Sequence, residues 1–333
     1  MKLLINDFFS QLSKYRNGIM GLAMFSIMLS HQEFSSFPPF NFFHNYGHWG
    51  VEIFLFLSGM GMVRSLAKNS VRIFFYHRLQ RLFPACLFFG LFKWSIFQVD
   101  DSCLSELHIN LWSCFSLDLW FIHSIIIYYV MSPLLYRFLM KYPELGALTV
   151  LIAYFLSHFF LTPIVGYNWR SPIGVLTWTL GRLPVFVFGM FFALFPKIIY
   201  KQRLYMCLGA FIFAVLLVII AKMIELPLWI SCFLPLCTAL GTPVMVIGCI
   251  ILLSRIPALF RHFCFFTGSI SLELYLIHEF VIWSLYLKAY NLYNNMLLLL
   301  VAILLSFVLA YVGKTILNRI LVSITSSNDK NVK

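Results

Sequence analysis

A histidine stands at the end of a long apolar run. His31 lies fifteen residues after Arg16, so on a helix rising about 1.5 Å per residue the two are roughly 22 Å apart. Imidazole exchanges a proton near neutral pH, which makes His31 a candidate general base. The same position suits a histidine hydrogen-bonded between helices, and both readings stand. Glu52 opens the next apolar run. It is either an interfacial carboxylate in water or an acid that orients or charge-balances a neighbouring histidine. Ser58-Gly59, farther along that run, reads first as a small-residue packing face, with Ser58 a secondary binding candidate. Arg78 and Arg81 are three residues apart and share one helix face. Two guanidinium groups so placed suit a polyphosphate gripped in forked geometry, and they equally suit the basic anchor of a membrane helix.

Other polar groups invite the same two-sided reading. Tyr275 and His278 share a face at i, i+3, as do Trp120 and His123. A tryptophan at a membrane edge is an anchor first and a site residue second. Arg182, in an apolar context, suits contact with an anionic sugar or lipid, or an ion pair with Glu52. The eight cysteines contain no CxxC pair and no Cys/His ligand spacing, so no metal is expected. Cys103 and Cys114 share one polar stretch and are a candidate disulfide if that stretch faces an oxidising compartment.

These residues need elements to hold them, and composition says what kind. Of 333 residues 61% are hydrophobic and 11% charged, against roughly 25% charged in soluble domains. The charges gather in short breaks between apolar runs of about 17–25 residues, the length that crosses a hydrocarbon core. Ten runs follow: 17–36, 49–67, 79–98, 118–138, 145–163, 173–195, 204–223, 227–253, 267–287 and 294–317. Helices are the spanning element for such runs, giving an all-α polytopic membrane bundle of about ten transmembrane helices. With the N-terminus inside, the inner segments hold 19 of the 24 Lys and Arg; Lys93, Arg170, Arg182, Lys222 and Lys288 are the outer ones. That bias puts both termini in the cytoplasm. The run 19–30 reads as a retained span, because no small-x-small cleavage site follows it. Residues 1–320 form the transmembrane domain and 321–333 a polar, unstructured cytoplasmic tail. The net charge of +12 is spread over helix ends and is not a nucleic-acid face.

The ordered segments resemble the membrane acyltransferase-3 family. Its early "DGLRG…H" stretch has its counterpart in Asn17-Gly18-Ile19-Met20-Gly21 to His31, and its "GVDLFFVLSG" in Gly50 to Gly59. Its basic "RxxR-x-x-P" helix matches Arg78-Leu79-Gln80-Arg81-Leu82-Phe83-Pro84. Later echoes are Leu119-Trp120-Phe121-Ile122, Phe186-Val187-Phe188-Gly189 and Ser271 to His278. The resemblance implies an O-acyltransferase in a bacterial cytoplasmic membrane, surrounded by membrane lipid. It implies no bound cofactor, acyl-CoA (acetyl-CoA by family habit) as donor and an extracytoplasmic or lipid-linked glycan as acceptor. His31 is then the catalytic histidine, with Glu52 holding it, and Arg78 and Arg81 belong to the donor site. Ser58, Trp120, Arg182, Tyr275 and His278 are further substrate-binding candidates. The family's usual arginine eleven residues before the histidine is Met20 here, and its aspartate is Asn17; Arg16, one turn earlier, is the candidate substitute. The competing functions are a proton-coupled transporter or flippase, and a non-catalytic scaffold. Paired halves would favour transport, and no internal symmetry is visible.

Overall fold

The computed structural model describes residues 2–31, 47, 49–97, 120–165, 172–196, 201–223, 233–288 and 296–330. Cys103, Cys114 and Arg170 lie outside them. The described residues are helical throughout, without a strand. In chain order the helices are α1 (Lys2–Ser30), α2 (Trp49–Lys68), α3 (Val71–Phe97), α4 (Trp120–Lys141) and α5 (Pro143–Leu156). A π-helical turn, Ser157–Leu161, leads from α5 into α6 (Thr162–Val165). Then come α7 (Pro172–Leu194), α8 (Lys201–Met223), α9 (Phe233–Arg255), α10 (Ala258–Ser269), α11 (Ser271–Lys288) and α12 (Met296–Lys330).

The described residues of each of the ten expected apolar segments are largely helical. Six of the helices are long and apolar enough to cross a membrane, seven if α10 and α11 count as one bent span. The first and third expected segments miss that standard for a chemical reason: α1 carries Lys14 and Arg16, and α3 carries Arg72, Arg78, Arg81 and Lys93. Large apolar side chains face outward on many helices. Leu134, Met206, Leu259 and Leu304 are 72%, 73%, 78% and 65% exposed, an arrangement that water would penalise and lipid rewards.

Two expectations are corrected. The segment 267–287 is not one straight helix: α10 and α11 meet at Ile270 with an 85° bend. The break falls in Thr267-Gly268-Ser269-Ile270-Ser271, a short stretch of small and polar residues that the expected span was drawn straight across. The Ser269 carbonyl freed at the end of α10 accepts a hydrogen bond from Lys314 of α12. At the C-terminus, α12 continues to Lys330 where an unstructured tail was expected after residue 320.

Glycines set the two closest helix crossings. Gly59 of α2 lies against the Phe186 carbonyl of α7, and Gly189 of α7 lies against the Phe56 carbonyl of α2, so a Cβ on either would collide with backbone. Gly21 of α1 and Gly268 of α10 form a second reciprocal pair, each against the other helix's carbonyls at Cys264 and Asn17. Both are small-residue contacts of the kind that lets membrane helices touch without a hydrophobic driving force. The α2–α7 pair is parallel. Glu52 meets Arg182 at one end, and the later ends both reach the first turns of α1, with Arg64 over Phe9 and Phe192 beside Phe8. The glycines of the early and middle motifs are therefore packing residues.

Gly59→Val and Gly189→Val should each destabilise the detergent-solubilised protein by more than the ~1–3 kcal/mol of ordinary overpacking, because the obstacle is backbone. Gly209→Ala and Gly248→Ala, which meet nothing within 4 Å, should leave the thermal midpoint unchanged or slightly higher. Fluorescence-detected size exclusion after heating reads both.

Candidate active site

The polar residues gather at two cavities, one toward each end of the bundle. The larger, about 500 Å³, sits where α1 ends and α2, α4 and α7 begin. His31 lines it from the turn that closes α1, its backbone N–H donating to the Met28 carbonyl at 3.3 Å. Glu52, Trp120, Arg182 and Tyr275 line the same space. Glu52 is buried, 5% exposed, so the reading of an interfacial carboxylate in water is overturned. Its Oε1 lies 3.3 Å from Arg182 Nε, which settles the alternatives for Arg182 in favour of the ion pair. The guanidinium also lies beside two neighbouring indoles, 4.8 Å from the Trp120 ring and 4.7 Å from that of Trp178. Charge neutralisation and two aromatic faces together make this cation tolerable in an apolar bundle.

His278 stands just behind this cavity. Its ring centroid is 5.1 Å from that of His31, at 69°, and 5.7 Å from that of Tyr275. His278 Nδ1 lies 3.0 Å from the Leu274 carbonyl and 2.9 Å from the Tyr275 carbonyl. A carbonyl only accepts, so the proton is on Nδ1 and the lone pair on the buried Nε2. The i, i+3 pairing of Tyr275 and His278 thus delivers one ring to each side of the His31 neighbourhood. Lys93, expected at an outer edge, is instead 7% exposed and close enough to His278 to act on it electrostatically.

The second cavity, about 100 Å³, is lined by Arg16 and Met20 of α1, Ser58 of α2, Arg78 and Arg81 of α3, and Tyr129 of α4. Arg78 is held by its neighbours: its guanidinium lies 5.5 Å from the Phe74 ring and 5.6 Å from the Tyr129 ring, and Nη2 is 3.5 Å from the Gly61 carbonyl. Arg64 adds a fourth positive charge near Arg16, Arg78 and Arg81. Arg16 and Met20, one turn apart, both face this space. The position that is methionine here is therefore part of the arginine cluster, and Arg16 supplies a cation beside it.

Tyr275 lines both cavities, and it is the partition between them. Its ring packs 5.1 Å from that of Phe121, which lines the smaller cavity while its neighbour Trp120 lines the larger one. The ten residues singled out from sequence thus divide cleanly. His31, Glu52, Trp120 and Arg182 are on one side, with His278 behind His31. Arg16, Ser58, Arg78 and Arg81 are on the other, and Tyr275 is between. Sequence reasoning missed Tyr129, Trp178 and the π-helical segment. Trp178 had a readable signal, since it is four residues before Arg182 on the same helix face. Tyr129 and the π turn had none, because each reaches its cavity through packing across helices.

A family model described as an acyltransferase domain matches residues 15–315. The chain belongs to the acyltransferase-3 family: it is a multi-pass membrane acyltransferase. No curated protein and no solved structure gives a significant match.

Removing one member of the buried ion pair leaves the other charge uncompensated. Glu52→Gln or Arg182→Met should cost about 3–5 kcal/mol, and the double replacement should recover most of it. Thermal unfolding of the four proteins in detergent measures the coupling. Additive losses would mean that the two side chains do not act as a pair.

Proposed function

We infer that the protein is an O-acyltransferase of a bacterial cytoplasmic membrane, moving an acyl group, acetyl by family habit, from cytoplasmic acyl-CoA to a glycan hydroxyl on the far side. The supporting observation is the separation of functions along the bundle: an arginine cluster at one end, a histidine-lined cavity at the other, and one tyrosine between them. Ten crossings with both termini in the cytoplasm put the arginines inside, in keeping with the 19-to-5 bias of Lys and Arg.

The phosphates of the donor bind Arg78 and Arg81, with Arg16 as the third cation, and the thin acyl-bearing arm extends past Tyr275 toward His31. The acceptor hydroxyl enters the larger cavity. His31 takes its proton as the oxygen attacks the thioester carbonyl; the carbon–sulfur bond breaks, and the imidazolium returns the proton to the departing thiolate. Transient acylation of His31 is the two-step form of the same reaction. His278, fixed by its two carbonyl bonds, positions the His31 ring. Glu52 acts through Arg182, holding the cavity wall in place.

His31→Ala should lower transfer of label from radiolabelled acetyl-CoA to membrane glycan by about 10²–10⁴-fold, with no change in the amount of folded protein. Arg78→Ala should raise the KM for acyl-CoA more than it lowers kcat. Mass spectrometry of surface glycans, with and without the protein, should differ by one acyl mass per modified unit. Undiminished transfer by His31→Ala would remove the histidine from the mechanism. Glycan movement without label transfer would favour a flippase.

A further inference from the structure

Part of the lining of the larger cavity consists of hydroxyls and one imidazole that belong to none of the motifs discussed above. Ser157, His158 and Thr162 come from the π-helical region, Thr177 from α7 and Thr238 from α9. Three features of this wall point to a ligand.

First, Ser157 is 2% exposed, yet its Oγ has no hydrogen-bond partner among the described residues. A serine in a helix ordinarily returns its proton to the carbonyl of the preceding turn. Ser132, Thr149, Thr267 and Ser306 all do so here. A buried hydroxyl left unpaired is costly, and a group on the cavity side would relieve it.

Second, Thr177 and Thr238 have spent their protons. Thr177 Oγ1 donates to the Ile173 carbonyl at 2.8 Å and Thr238 Oγ1 to the Pro235 carbonyl at 2.9 Å. What each still offers is a lone pair, so the wall accepts hydrogen bonds from O–H donors.

Third, the π turn keeps these groups on one face. In a regular α-helix Thr162 would stand about 80° around from Tyr154. The wider turn at Ser157–Leu161 reduces that offset, so Tyr154, Ser157, His158 and Thr162 all line the cavity.

The charge of the cavity selects among hydroxylated ligands. Among the described lining residues the one carboxylate and the one arginine are paired with each other, and the arginine packs beside two indoles. Among the described lining residues no further Lys, Arg, Asp or Glu faces this space. Among these described residues an acidic sugar would find no spare Lys or Arg, whereas a neutral ring of hydroxyls would find acceptors. The volume of about 500 Å³ falls within the ~300–1,000 Å³ of pockets that enclose small ligands.

We propose that Ser157, set by the π-helical turn, forms the acceptor subsite together with Thr177 and Thr238, and that it takes a neutral sugar rather than a uronic or otherwise anionic one. The inference rests on the acyltransferase reading for the role of the sugar, but the site itself is tested without acyl transfer. The full-length protein in nanodiscs, with no acyl donor present, is titrated with methyl glucoside, methyl galactoside, methyl N-acetylglucosaminide and methyl glucuronide by saturation-transfer NMR. At least one neutral glycoside should bind saturably and at least tenfold more tightly than the glucuronide. Ser157→Ala should weaken that binding about tenfold while its thermal midpoint holds or rises, because the substitution removes an unpaired hydroxyl. Thr177→Val with Thr238→Val should weaken it similarly. Absence of neutral binding, equal binding of the glucuronide, unchanged affinity in Ser157→Ala, or a lowered midpoint in that variant would each overturn the proposal. If the glycoside binds but receives no label when acetyl-CoA is added, the subsite stands and the acceptor role falls.

Discussion

The parallel contact between α2 and α7 is the constraint from which the site follows. Gly59 and Gly189 let the two backbones touch, and seven residues earlier on each helix Glu52 meets Arg182. Seven residues are two turns, so the glycine contact and the ion pair lie on one seam, about 10 Å apart. The seam fixes the carboxylate and the guanidinium in a bundle that would not tolerate either alone. It also brings Trp178 to Trp120, their ring centroids 5.3 Å apart, which closes the wall of the larger cavity. In lipid there is no hydrophobic force to hold helices together, so close backbone packing and one buried charge pair have to supply the order.

Between the two cavities the bilayer acts as an insulator. The arginines at one end have their charges near the entry of α1 and α3, while the other end is electrically balanced and lined with hydroxyls and imidazoles. A highly charged donor and an uncharged acceptor therefore suit different ends of the same protein. Tyr275, flanked by Phe121 and His278, is among the described residues the one side chain that lines both spaces. Its position makes the route between the ends narrow and aromatic, which suits a thin chain and rejects the bulk of either substrate.

Much of this was legible in the sequence because membrane proteins make polar residues costly. His31, Glu52, Arg78, Arg81 and Arg182 stand out against apolar runs, and all five line a cavity. Gly59 was legible as a packing residue beside Ser58, whereas its counterpart Gly189 was not. What sequence left open was pairing. Glu52 was read as a partner of either the histidine or Arg182, and the partner across the seam is Arg182, 130 positions away. The 85° bend at Ile270 did carry a mark, the small and polar run Thr267-Gly268-Ser269-Ile270-Ser271, but its type fits a packing face as well as a break, so the angle was not readable. The π turn at Ser157–Leu161 is a matter of hydrogen-bond register, which no residue type there announces.

The central claim is that donor and acceptor meet the protein from opposite faces of the membrane. Sealed inside-out vesicles containing the protein, given radiolabelled acetyl-CoA on the outside, test it directly. The account predicts that labelled acyl groups accumulate on glycan within the lumen, protected from a membrane-impermeant esterase until detergent is added. Label that the esterase removes from intact vesicles would contradict it, because donor and acceptor would then share one face.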